Sequence, residues 1–165
     1  MSRLPIPETG RVAGIDFGSV RIGIAVSDID RKFSSPYETY IRKSPAKDAE
    51  YFVRLVSEER IVAFVLGMPI HLSGDMSEKG EEVLQFADWL QTVTRLPIRF
   101  VDERYTSVEA ERILRNAKLT NKQRLARRDK LAAQMILAAF LEAGCESTLL
   151  FDAVESDRSD EPKTF

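Results

Sequence analysis

Two strand-length apolar runs, Arg11 to Phe17 and Arg21 to Ser27, stand on either side of the three residues Gly18-Ser19-Val20. This feature constrains the fold more than any other in the chain. The first run is apolar from Val12 onward except for Asp16, and in the second Ile22, Ile24 and Val26 alternate with smaller residues. The reading is a β-hairpin with Gly18 to Val20 as its turn. Lys32 to Ile41 is expected to add a third strand, bounded by the polar stretch Asp28 to Arg31 and by Ser44-Pro45.

The rhythm then changes to helix and strand in alternation. Ala46 to Glu59 reads as a helix, Ile61 to Leu66 as a buried strand, Ser77 to Thr94 as a helix and Ile98 to Val101 as a strand, so the later strands should run parallel. Thr106-Ser107-Val108-Glu109 has the form of a capping box and predicts a helix to about Asn116, and Gln123 to Ala143 predicts a last helix ended by Gly144. The fold class is α/β: a three-strand antiparallel opening, then alternating units.

With 165 residues, 44% of them apolar, the chain is long enough for one domain with a sizeable core. Residues 11–150 are expected to form it, preceded by an N-terminal extension over 1–10. Residues 151–165 are expected to be an acidic disordered tail, because Asp152 to Phe165 holds five acids, two bases and few apolar residues to offset the entropy of ordering. The single Cys145 excludes an internal disulfide and a multi-thiolate zinc site, and suits a reducing compartment. There is no signal-like apolar run in Met1 to Gly10 and no run of about 18 apolar residues anywhere. The expectation is a cytoplasmic protein with no membrane partner.

Net charge is -2, which argues against coating nucleic acid by bulk charge. Its distribution is uneven. From Arg112 to Lys130, eight basic residues face one acid, Asp129, for a local net of +7. Arg124, Arg127, Arg128 and Lys130 of this segment are candidate nucleic-acid contacts; charge alone does not separate a phosphate-binding surface from a solvated loop between helices.

Three carboxylates stand where carboxylates are costly. Asp16 interrupts an apolar run and needs a partner there, unless it caps the turn ahead of Gly18. Glu103 follows Ile98 to Asp102 at the carboxyl end of a strand, the edge where α/β folds place ligands. Strand alternation sets Glu103 with Val101 and Asp102 with Phe100, without saying which face holds the site. Asp129 falls in line with Leu125, Ala132, Ala133, Ile136 and Phe140 at helical spacing, so it points inward and requires a cation, several donors or an ion pair with a nearby arginine. Three acids in one cleft repel one another unless a cation lies between them, and hard oxygen ligands favour Mg2+ or Mn2+ over zinc.

At these residues the sequence resembles the YqgF family, Holliday-junction-resolvase-like proteins regarded as pre-16S rRNA nucleases. The resemblance rests on Gly14 to Gly23, on Gly67-Met68-Pro69, on Asp102-Glu103-Arg104-Tyr105-Thr106-Ser107 and on Asp129 to Leu137. It implies an RNase H-like fold, a five-stranded mixed sheet flanked by helices, with Asp16, Glu103 and Asp129 as catalytic metal ligands. It thereby selects Glu103 over Asp102. It also implies that Arg21, Arg104, Thr106 and Ser107 hold the site or the substrate, which suits a guanidinium's fit to phosphate and the amides of a helix start. Gly18 would allow close backbone approach beside Asp16.

The function this implies is metal-dependent hydrolysis of phosphodiester bonds in structured nucleic acid, with 5′-end processing of pre-16S rRNA foremost. The partners are then pre-rRNA or ribosomal precursor particles, and the oligomeric state stays open between monomer and weak dimer. A nuclease for branched DNA and a non-catalytic RNA-binding maturation factor are the alternatives. An actin-like phosphotransferase would share the Asp-x-Gly hairpin, but no second such hairpin follows. His71 stands near the position where members of that family often carry Asn, and reads as a surface loop residue. Trp89 reads as packing.

Overall fold

The computed structural model describes residues 4–71, 73, 76–103 and 119–145. Among these described residues eight elements follow in order: β1 (Arg11–Asp16), β2 (Arg21–Ser27), β3 (Ser34–Ile41), α1 (Pro45–Glu59), β4 (Ile61–Met68), α2 (Glu78–Thr94), β5 (Ile98–Asp102) and α3 (Asn121–Glu142). The hairpin, the third strand and the alternating units are all present, with ends shifted by one or two residues. The helix expected from Thr106 to Asn116 and the acidic tail lie outside the described residues.

The strands form one sheet in the order β3-β2-β1-β4-β5. β1 pairs antiparallel with β2, and β2 with β3, while β1 with β4 and β4 with β5 are parallel. The carboxyl ends of β1, β4 and β5 therefore share one edge, where Asp16, Met68 and Asp102 end their strands.

Alternation divides the sheet's side chains between two layers. Ala13, Ile15, Ile22, Ile24, Phe64, Leu66 and Phe100 join the cluster with α1 and α2, and Val12, Ala25, Ala63, Val65 and Val101 join Ala133, Ile136, Leu137 and Phe140 of α3. Each fully buried Val, Ile, Leu or Phe among them stabilises by about 1.5–3 kcal/mol. The sheet between these layers is the rigid part on which the edge residues sit. Trp89 packs there too, 5.5 Å from Phe86 and 6.1 Å from Phe52 between ring centroids.

Local sequence explains the helix ends. Ser44, Ser77 and Thr120 each accept a backbone N–H of the first turn, and Thr120 forms a capping box with Gln123. This cap starts α3 at Asn121, two residues before the expected Gln123. At the other end Gly144 takes φ 71°, and Cys145 N–H reaches Phe140 C=O while Gly144 N–H reaches Leu141 C=O, the Schellman closure that favours glycine. Arg31 and Arg99 fasten the segment before β1, donating to the carbonyls of Gly10, Pro7 and Leu4.

Candidate active site

The carboxyl-edge cavity has a volume of about 440 Å³ and is lined by Asp16, Phe17, Gly18, Ser19, Val20, Arg21, Lys79, Glu103, Arg128, Asp129 and Ala132. Alternation explains how three of these acids share it. Val12 lies in the α3 layer, so Gly14 and Asp16 also face α3; Val101 lies there too, which puts Glu103 on that side and Asp102 with Phe100 on the other. Strand geometry, once the face carrying α3 is known, makes the choice that spacing alone leaves open.

Missing side chains make the approach possible. A Cβ on Gly23 would collide with the backbone carbonyl of Asp129, so α3 touches β2 at this point only because residue 23 is glycine. A Cβ on Gly67 would come within 2.5 Å of both Glu103 Oε2 and Ile136 Cδ1. The gap above β4 is thus where the Glu103 carboxylate leans inward. The Glu103 backbone is held by its N–H to Met68 C=O at 3.2 Å.

Burial works against charge here. Asp16 is pushed up to about 7, first by desolvation, then by the negative charges of Glu103 and Asp129, with Lys79 and Arg128 opposing. Glu103 is also raised, by desolvation first and by Asp102, against Lys79. Asp129 is 7% exposed and takes up the ion pair that its place on the helix stripe makes one way to offset burial. Arg21 Nε donates to its Oδ2 at 3.1 Å, and Arg128 Nε lies 3.7 Å from its Oδ1.

Among the described residues no group of three acids, histidines or cysteines is already arranged to hold a metal ion. The acids share the cavity without meeting at a point, since Asp129 is turned to the arginines. Their chemistry nonetheless fits a hard divalent cation: the cavity offers carboxylate oxygen and neither thiolate nor imidazole, and burial beside two other acids leaves the charge of Asp16 in want of a cation.

Of the other sequence candidates, Gly18, Arg21 and Arg128 line the cavity. Arg124, Arg127 and Lys130 do not, and Arg127 stands about 200° around the helix from Asp129 and is exposed. Arg104, Thr106 and Ser107 lie outside the described residues. His71 is exposed and outside the lining. Sequence reading passed over Lys79, although its place just after the Ser77 cap, on a helix entered from the carboxyl end of β4, was a usable signal.

Comparison with known proteins places the chain among relatives. The chain is 47% identical over 137 residues to a protein of Rhodopirellula baltica, covering 83% of this chain and 79% of that one. It is 40% identical to one of Koribacter versatilis (81% and 87%) and 41% identical to one of a Roseiflexus species (82% and 96%). All three are named as proposed pre-16S rRNA nucleases. Among solved structures, Thermus thermophilus RuvC in complex with Holliday junction substrate superposes with TM-score 0.55 at 14% identity, covering 85% of this chain and 99% of that one. The fowlpox virus resolvase with Holliday junction DNA gives 0.52 at 6% identity, covering 82% and 99%. At such identities these two establish the fold, which is RNase H-like. The family model described as RuvX, Holliday junction resolvase, matches residues 10–143, and the chain belongs to that nuclease family.

Proposed function

We propose that this chain is a divalent-metal-dependent endonuclease that cuts structured nucleic acid, with 5′-end processing of pre-16S rRNA in the cytoplasm as its task. The observation that carries the mechanism is the meeting of Asp16, Glu103 and Asp129, from β1, the end of β5 and α3, in one cavity at the sheet's carboxyl edge. The names of the relatives support the substrate.

Asp16, Glu103 and Asp129 would hold Mg2+ or Mn2+, and Asp16, on whose charge both other acids bear, would be the central ligand. Such an ion, when bound, lowers the pKa of water and neutralises charge on the leaving oxygen of a phosphodiester. The protein's own part is positioning. Arg21 holds the Asp129 carboxylate by one bond from Nε, and the Gly18 to Val20 turn leaves the backbone open to a sugar-phosphate chain. Arg128 faces the phosphate at the cavity wall, and Arg124, Arg127 and Lys130, with Arg104, Thr106 and Ser107, serve the flanking nucleic acid. The products would carry a 5′-phosphate and a 3′-hydroxyl.

Mapping cleavage on precursor 16S rRNA and on four-way DNA junctions with Mn2+, for wild type and Asp129→Asn, tests the reading. It expects wild-type cuts near the mature 5′ end of the RNA and loss of them in the variant. Cleavage of junctions with the RNA left intact would move the substrate to branched DNA.

A further inference from the structure

Lys79 reaches the cavity from the layer opposite α3. Ser77 fixes it: its hydroxyl accepts from Gly80 N–H at 3.0 Å and donates to Pro69 C=O at 3.1 Å. A β-bridge between Ile70 and Met76 closes the connecting segment. A Cβ on Gly80 would stand 3.1 Å from Pro69 O and from Met76 Cγ, so the first turn of α2 is packed tightly on the end of β4. Lys79 is thereby placed beside Asp16 and Glu103 as a lining residue.

We propose that Lys79 is a catalytic residue that donates to a non-bridging oxygen of the phosphodiester in the cavity, gripping the substrate from the α2 side while Arg128 grips it from the α3 side. This rests on the nuclease reading. A phosphodiester entering the cavity brings a negative charge beside three carboxylates, and it needs cations not already spent on those acids. Arg21 is taken up by its hydrogen bond to Asp129 and Arg128 only partly, at 3.7 Å from the same carboxylate, whereas Lys79 enters no ion pair among the described residues. Its side chain is exposed, and a flexible ammonium with three donors suits a single oxygen better than a bidentate grip. The influence of its charge on both Asp16 and Glu103 agrees with this placement.

The test uses the full chain with Lys79→Ala, Lys79→Arg and Asp16→Asn. Cleavage of a labelled precursor 16S rRNA fragment with Mn2+ is measured alongside binding of that RNA at several salt concentrations. Lys79→Ala is expected to lower kcat/KM by about 10- to 100-fold, the size of one hydrogen bond to a charged group. It should also reduce the slope of log K against log salt by about 0.7–0.9, one phosphate contact. Lys79→Arg should keep the wild-type slope. Either an unchanged cleavage rate or an unchanged slope in Lys79→Ala, with Asp16→Asn inactive, overturns the role of Lys79 and leaves the nuclease reading standing. Full activity in Asp16→Asn, or no cleavage by wild type of either this RNA or a four-way DNA junction, overturns both.

Discussion

Arg21 Nε donates to Asp129 Oδ2 at 3.1 Å, joining the first residue of β2 to the first half of α3 across 108 positions of sequence. The bond fixes the carboxylate that α3 forces inward and ties the hairpin to the helix that closes the sheet. Arg21→Gln removes the charge while Arg128 remains 3.7 Å away, and Arg21 is itself partly exposed, so the expected loss of stability is modest, about 1–2 kcal/mol. Urea denaturation measures it. The loss of cleavage should be larger than this change in folding explains.

Gly67 has the opposite profile. Its missing side chain leaves the space that Glu103 Oε2 and Ile136 Cδ1 occupy, so Gly67→Ala must displace one of them. Ile136 is locked in the α3 layer, and the carboxylate is the softer neighbour. A fall in kcat of at least about 10-fold with retained folding is expected, since misplacement of a catalytic group by about 1 Å can cost 100-fold. Steady-state kinetics beside a melting curve checks it.

Asp48 is a buried acid that serves the fold alone. Its oxygens accept from Tyr40 Oη at 2.8 Å, Lys43 N–H at 2.9 Å and Arg42 Nε at 3.2 Å, at the junction of β3 with α1. Asp48→Ala orphans all three donors and should cost about 3 kcal/mol in chemical denaturation.

The pH dependence of the metal-free protein has a definite sign. The folded pKa of Asp16 stands at about 7 against 3.8, so between these values the folded state holds more protons than the unfolded one and stability falls as pH rises. Glu103 acts in the same direction. Burial works to raise Asp48, but hydrogen bonds from Lys43, Tyr40 and Arg42 leave it lowered, so its contribution is complete above the ordinary carboxylate range and fades only in acid. In EDTA, the protein is therefore expected to be more stable at about pH 5 than at about pH 8, by a few kcal/mol. Asp16→Asn should flatten most of the difference. Mn2+ should raise the melting temperature more at the higher pH, where the ligands are deprotonated. Equal stability at both pH values without metal would show that Asp16 is better compensated than its burial implies.

The order of elements was legible because hydrophobic period changes along this chain at identifiable places: Gly18 to Val20 splits a strand pair, and Ser77 and Gly144 mark helix ends. Asp129 was legible for the same reason, as a charge on an apolar helical stripe. Glu103 was not separable from Asp102 until α3 was placed, because alternation gives relative faces and only packing says which one is covered. Lys79 escaped because its one signal, a place just after the Ser77 cap, does not say that the helix start lies beside the acids until the fold is known. Asp48 escaped likewise, since its donors come from a strand end and a loop that sequence spacing does not align.

The central claim is that the three acids form one hydrolytic site, and single-turnover cleavage of a precursor 16S rRNA fragment in Mn2+ by wild type and Asp16→Asn measures it most directly. The account predicts cuts bearing 5′-phosphate and 3′-hydroxyl ends in wild type and a rate lower by at least about 1000-fold in the variant, or about 4 kcal/mol in the barrier. Equal rates in the two proteins would contradict it.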